Sequence, residues 1–198
     1  RKSQMMNFEE HRAIYESHVA KMLNDPSGSV NSPATGALLW MTHPAQPSFV
    51  WQMYSHDHET FGTFFAIKNA CSRVTALLNA SDKKITVANH TVNNFNGSVR
   101  LTVCDLKGNQ KRVEAVTIQK LAPATHRDAL TIGESLLPAD SEVMIASVEL
   151  FDTSGVLIKE SIYWLRTDGR DENFSTMDQM DKASLSLSAV SKTIRNDS

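Results

Sequence analysis

The sequence predicts a mainly β chain, a β-sandwich preceded by helices and one short buried strand, and three observations carry that expectation. After Arg73, seven short segments rich in β-branched residues follow one another, separated by turn residues. Within them apolar and polar residues alternate, as in Val99, Leu101 and Val103 against Arg100 and Thr102, or Met144, Ala146, Val148 and Leu150 against Ser147 and Glu149. Alternation of that kind marks strands with one dry and one wet face. Before Arg73 the apolar residues instead recur mostly at helical spacing.

In chain order, Asn7 followed by Glu10 reads as a helix start close to a capping box. Phe8, Ile14, Tyr15, Val19 and Met22 then give one apolar face, and Asn24-Asp25-Pro26-Ser27-Gly28 ends the helix near Leu23. His11 and His18, seven apart, read as packed or solvated side chains rather than metal ligands. Ser27 to Thr35 is a polar loop, and Gly36 to Met41 is a wholly apolar run that suits a strand buried on both faces. It breaks into a segment holding Pro44 and Pro47. A buried strand ending in Trp40 and a proline loop has the form of the last strand of a (β/α)8 barrel, a fold whose strand C-termini carry the active site. Trp51 reads as core, and Asp57 as N-cap of a helix from Glu59 to Arg73 with Glu59 in its first turn. Phe61, Phe64, Phe65 and Cys71 form that helix's expected buried stripe. Asp57 and Glu59 suit helix-start roles and not a catalytic carboxylate pair.

The strands are expected at Val74–Leu78, Lys84–Thr91, Ser98–Leu106, Arg112–Leu121, His126–Ile132, Val143–Asp152 and Val156–Leu165. Seven half-buried strands of this length make an immunoglobulin-like sandwich, here without the Cys…Trp…Cys spacing of antibody domains. Nothing in it groups His, carboxylate and aromatic residues into a site, so its expected role is mechanical. Thr167 to Lys182 turns polar and acidic, a linker by composition, and Ala183 to Val190 alternates like the first strand of a further sandwich. The domain expectation is therefore residues 1–73, the end of a barrel; 74–166, the sandwich; and 167–198, a linker with a first strand.

Composition removes several classes of function. A net charge of −2 without any Lys/Arg run argues against nucleic-acid binding, and no apolar stretch approaches the roughly 18 residues of a membrane span. The chain starts with Arg-Lys-Ser and reads as an excised segment, so the lack of a leader says nothing of its parent. Cys71 and Cys104 make neither a disulfide framework nor a metal site and are expected to be buried thiols. Four triplets, beginning at Asn79, Asn89, Asn96 and Asn173, fit the N-glycosylation pattern.

The run Trp40-Met41-x-x-Pro44-Ala45-x-Pro47-Ser48-x-x-Trp51, followed by Glu59-Thr60-Phe61-Gly62 and Phe65-x-x-Lys68-x-Ala70-Cys71, resembles glycoside hydrolase family 2. The resemblance is to its branch of exo-β-glucosaminidases, β-mannosidases and plant-type endo-β-mannosidases, in order from about Met5 to Phe174. It implies a helix after the seventh barrel strand, then the eighth strand, a closing helix and an immunoglobulin-like domain. It further implies a retaining β-glycosidase of β-mannoside or β-glucosaminide type, working with two glutamates about 5–5.5 Å apart. In the family these end the fourth and seventh barrel strands, which places them upstream of Arg1. On that reading the segment holds no catalytic residue, is inactive alone and supplies one wall of the cleft.

The same resemblance makes Trp40 a platform on which a sugar stacks, although a core role at the barrel end stays open, and implies a cis peptide after it. His43 stands where many relatives have Asn and either contacts substrate or caps the loop. Gln46 replaces a second Trp and can hydrogen-bond a hydroxyl but not stack. No cofactor or metal is implied. The expected partners are a carbohydrate substrate and the remaining domains of the same chain, with no nucleic acid and no membrane, and residence is secreted or periplasmic by resemblance only. The first-third helices, short of a full barrel, are expected either to self-associate or to fold back on the sandwich. The competing reading is a non-catalytic β-sandwich adhesion or carbohydrate-binding module, which would show its site as aromatics on the sandwich.

Overall fold

The computed structural model describes residues 2–21, 36–48, 51–79, 82–133, 143–166 and 174–180, with 184 and 186. Two helices, α1 (Lys2–Lys21) and α2 (Gly62–Ala70), precede seven strands: β1 (Val74–Asn79), β2 (Lys84–Asn89), β3 (Phe95–Asp105), β4 (Gln110–Leu121), β5 (Thr125–Thr131), β6 (Val143–Asp152) and β7 (Leu157–Arg166). The strands form two antiparallel sheets, β1-β2-β5 and β4-β3-β6-β7. All seven expected strands are present to within about three residues at each end.

The core lies between the sheets. Val99, Leu101 and Val103 of β3 and Met144, Ala146, Val148 and Leu150 of β6 point inward, meeting Ala76, Leu78, Ile85 and Val87 of the smaller sheet. Alternation fails in β1 and β2, each of which buries four or more consecutive residues. The reason is α1: Val19 and Ala20 pack on Leu77 and Ala88, covering the outer face of that sheet. The first third thus folds against the sandwich at the seam where β1 of one sheet runs beside β7 of the other.

Several local expectations need correction. Gly36 to Met41 forms no strand; Leu38 is 102% exposed and Trp40 86%. A strand needs a ladder partner for its N–H and C=O groups, and among the described residues no strand lies beside this run. Apolar character alone cannot supply that partner. Helix α1 begins at Lys2, so Asn7 lies inside it, where its carbonyl accepts a bond from His11 Nδ1 at 2.9 Å. The buried face of α1 holds His11, Arg12, Glu16, Val19 and Ala20, while Ile14 is exposed. That stripe was hidden from a hydropathy reading because three of its five members are polar. Met22 and Leu23 lie outside the described residues.

Helix α2 starts at Gly62 with Phe61 as an N-cap that has no side-chain bond, so Asp57 does not cap it and Glu59 is outside its first turn. Its buried side is Thr63, Ala66 and Ala70, whereas Phe65 is 51% exposed and Cys71 is exposed. Small residues are needed there because α1 passes very close: a Cβ on Gly62 would sit 2.3 Å from the Gln4 carbonyl oxygen. Cys71 and Cys104 are free, and neither is fully buried. Part of the acidic stretch after the sandwich forms a short 3-10 helix, Ser175–Gln179, with Phe174 against Trp164. The strand expected over 183–190 falls outside the described residues, apart from Ser184 and Ser186.

Candidate functional site

Two groups of side chains stand apart from ordinary packing. The first is the loop between Gly36 and Phe61. Backbone bonds fold it on itself, from Tyr54 N–H to the Thr42 carbonyl at 3.1 Å and from Phe61 N–H to Met53 O at 2.9 Å, and a bridge joins Tyr54 to Thr60. It is tied to the helices through Thr63, whose hydroxyl donates to Trp51 O at 3.1 Å and lies 3.4 Å from His11 Nδ1. Gly62 N–H donates to Gln4 Oε1 at 2.7 Å. The loop that carries Trp40 is therefore positioned by α1 and α2.

Of the expected site residues, Trp40 and Gln46 are exposed and His43 is half-buried. The Trp40–Met41 peptide is cis, as the resemblance implies. Among the described Phe, Trp and Tyr residues only Trp40 and Phe65 are exposed. Trp51 is half-buried. His43 joins two residues that the sequence reading passed over. Its ring stacks on His58 with centroids 4.5 Å apart and planes 9° apart, and it lies 6.0 Å from His56. His43 Nε2 donates to the His56 carbonyl at 3.1 Å. Rings that stack face to face aim their nitrogens outward in their own planes, so they do not converge on a point. Among the described residues no cluster of three or more His, Cys, Asp or Glu could hold a metal ion. The signal for this group was His56-Asp57-His58, a close pair of histidines on a turn, with His58 at φ 65°.

The second group fills the joint between α1 and the sandwich. Tyr163 of β7 takes the N–H of Leu78, on edge strand β1, at 3.1 Å, and faces both oxygens of Glu16 at 2.9 and 3.0 Å. Arg12 bonds to the Ile162 carbonyl and to Glu9, and its guanidinium lies 4.2 Å from the centre of the Tyr163 ring. Lys159 donates to Asn69 O at 2.8 Å and to the Thr75 hydroxyl. Burial pushes the Glu16 carboxyl up to about 7, against the pull of Arg12 and Lys159, and pushes Lys159 down to about 8 against the pull of Glu16. Beside this joint lies a largely apolar groove of about 620 Å³, lined by Met5, Phe8, Arg12, Ile162 and Trp164 among others. None of Trp40, His43 and Gln46 lines it.

Residues 81–167 match the family model described as Mannosidase Ig/CBM-like domain. The chain is 28% identical over 169 residues to an exo-β-D-glucosaminidase of Streptomyces avermitilis, covering 84% of this chain and 18% of that protein. It is 25% identical over 175 residues to a mannosylglycoprotein endo-β-mannosidase of Lilium longiflorum, covering 86% of this chain and 17% of that one. The crystal structure of an exo-chitosanase from Amycolatopsis orientalis superposes with a TM-score of 0.71 at 25% identity, over 83% of this chain and 19% of that chain. The chain thus has glycoside hydrolases as its homologues and spans less than a fifth of the relatives' length.

Proposed function

We propose that this chain is the C-terminal portion of a retaining β-glycosidase of glycoside hydrolase family 2, acting on β-mannosides or β-glucosaminides. Residues 1–73 belong to its catalytic barrel and contribute one wall of the cleft; residues 74–166 are a supporting sandwich, and 167–198 lead to a further domain. The observation that carries this reading is the extent of the likeness. It covers 169 residues and 84% of this chain against the first of those relatives, far more than the sandwich match at 81–167, so it must include the Trp40 loop and α2. A stand-alone binding module has no use for those parts.

Trp40 is the sugar platform, with His43 and Gln46 at its border as polar contacts. An indole face held out to solvent by an anchored loop offers apolar area to the C–H face of a pyranose. The aromatics of the sandwich support this rather than the binding-module reading. Trp164 is half-buried against Phe174, and Phe151 lies under the Arg100 guanidinium at 4.8 Å, so neither stands out to solvent as Trp40 does.

The chain should be inactive alone, since the two catalytic glutamates of such an enzyme lie elsewhere. The test assays the chain, and the glycosidase that carries it, on nitrophenyl β-glucosaminide, β-mannoside, β-galactoside and β-glucuronide. Turnover of the first or second by the glycosidase, and of none by the chain, is the expected result. Turnover of only the third or fourth would overturn the substrate class, and turnover by the chain alone would overturn its supporting role.

A further inference from the structure

The joint between α1 and the sandwich contains a carboxyl group whose surroundings suit it uncharged. Glu16 is only 3% exposed, and its two oxygens share one partner, the Tyr163 hydroxyl, at 2.9 and 3.0 Å. That hydroxyl has a single proton, and it already accepts a bond from Leu78 N–H. An ionised carboxylate only accepts, so one of the two short contacts would then hold no proton of its own. With a proton on Glu16 both close: Tyr163 donates to one oxygen and Glu16 O–H donates back to the tyrosine oxygen. The neighbouring cations are committed elsewhere, Arg12 to Glu9 and the Ile162 carbonyl, and Lys159 to Asn69 O and Thr75. Among the described residues neither forms a salt bridge with Glu16.

We propose that Glu16 is protonated in the docked helix and that α1 closes on the sandwich with uptake of one proton, which makes this joint a pH-responsive latch between the Trp40-bearing part and the sandwich. The charged and titratable groups around it are Arg12 and Glu9 on α1, Tyr163 and Lys159 on β7, and Cys71 after α2, which acts on Lys159.

The sign follows from where each group titrates. Glu16 is raised from 4.5 to about 7, so between those values the docked form binds more protons than the unfolded chain. Stability therefore grows as pH falls from 7 and is lost as pH rises through 7. Lys159, lowered from 10.5 to about 8, acts oppositely and adds stability as pH rises above 8. The latch is weakest between about pH 7 and 8.

The decisive experiment is a ¹³C titration of the glutamate side-chain carboxyls in the 198-residue chain. One resonance, removed in Glu16→Gln, should titrate at about 7, well above the ordinary glutamate range near 4.3. In parallel, the ratio of the wild-type unfolding constant to that of Glu16→Gln should rise severalfold per pH unit between pH 5 and 7, approaching the tenfold slope of one proton in the middle of that window. In Glu16→Gln, whose amide can donate to the tyrosine oxygen, the part of the slope due to that one proton should be lost. A Glu16 carboxyl that titrates below pH 5 would overturn the proposal, as would a Glu16→Gln variant with the wild-type slope. If the variant fails to fold, the wild-type titration together with selective labelling decides alone.

Discussion

Leu101→Ala is expected to lower the unfolding free energy by about 3 kcal/mol, near the middle of the range for buried leucines. Leu101 is 0% exposed at the centre of β3, the strand paired on both sides, opposite Glu114 of β4 and Val148 of β6. Its side chain enters the layer between the sheets with Ile85, Val87 and Ala76. Two ladders fix the backbone beneath it and the opposite sheet is itself braced by α1, so the space left by the isobutyl group has little means of closing. Urea unfolding followed by tryptophan fluorescence should show a lower midpoint with an unchanged slope. A loss below about 1 kcal/mol would mean that the sheets collapse on the gap and that the core is softer than described.

Asn89→Ala is expected to cost about 2–3 kcal/mol, mostly from groups it leaves unpaired. Asn89 ends β2 and is fully buried, with its amide donating to Asn93 O at 2.8 Å, Leu121 O at 2.9 Å and Ala122 O at 3.2 Å. Its carbonyl oxygen accepts from the Thr91 N–H and hydroxyl at 3.0 and 2.7 Å. One side chain thus joins the end of the smaller sheet to the end of β4 in the larger and closes the turn between β2 and β3. Asn89→Asp should be at least as damaging, because a carboxylate cannot donate to the three carbonyls. Thermal unfolding of both variants checks this, and a melting point within about 2 °C of wild type would contradict it. The same geometry bears on the glycosylation triplet Asn89-His90-Thr91: the nitrogen a glycan would occupy is spent on the fold. At Asn96, by contrast, the side chain is exposed, with its oxygen accepting from Lys120 N–H.

The two halves of the chain differed in how much they revealed. The sandwich was legible because each strand states its own case: Val99, Leu101 and Val103 face in, Arg100 and Thr102 face out, and turn residues mark the ends. What could not be read was why β1 and β2 bury both faces, since that depends on α1, far away in sequence. Helix α1 was legible as a helix but not in its orientation. Its docking face rests on Arg12 and Glu16, whose burial is tolerated only because Tyr163, Glu9 and the Ile162 carbonyl meet them. At Gly36 to Met41 apolarity predicts a strand, but among the described residues no strand lies alongside to pair with it. Apolarity places Phe65 and Cys71 in a buried stripe, whereas the close crossing of α1 at Gly62 selects Thr63, Ala66 and Ala70. At the candidate site Trp40 and His43 were singled out by family likeness. The stack of His43 on His58 needed the turn geometry that only the fold supplies.

The central claim, that the loop held by α1 and α2 forms a sugar-binding wall, is tested most directly by Trp40→Ala in the glycosidase that carries this chain. The variant should melt with the wild type, while kcat/KM on the preferred nitrophenyl glycoside falls tenfold or more, about 1.4 kcal/mol of transition-state binding. Trp40→Phe should recover part of the loss, since a smaller ring still stacks. A Trp40→Ala enzyme with kcat/KM within about twofold of wild type would contradict the account, because an exposed platform that contacts the sugar cannot be removed without weakening the transition state.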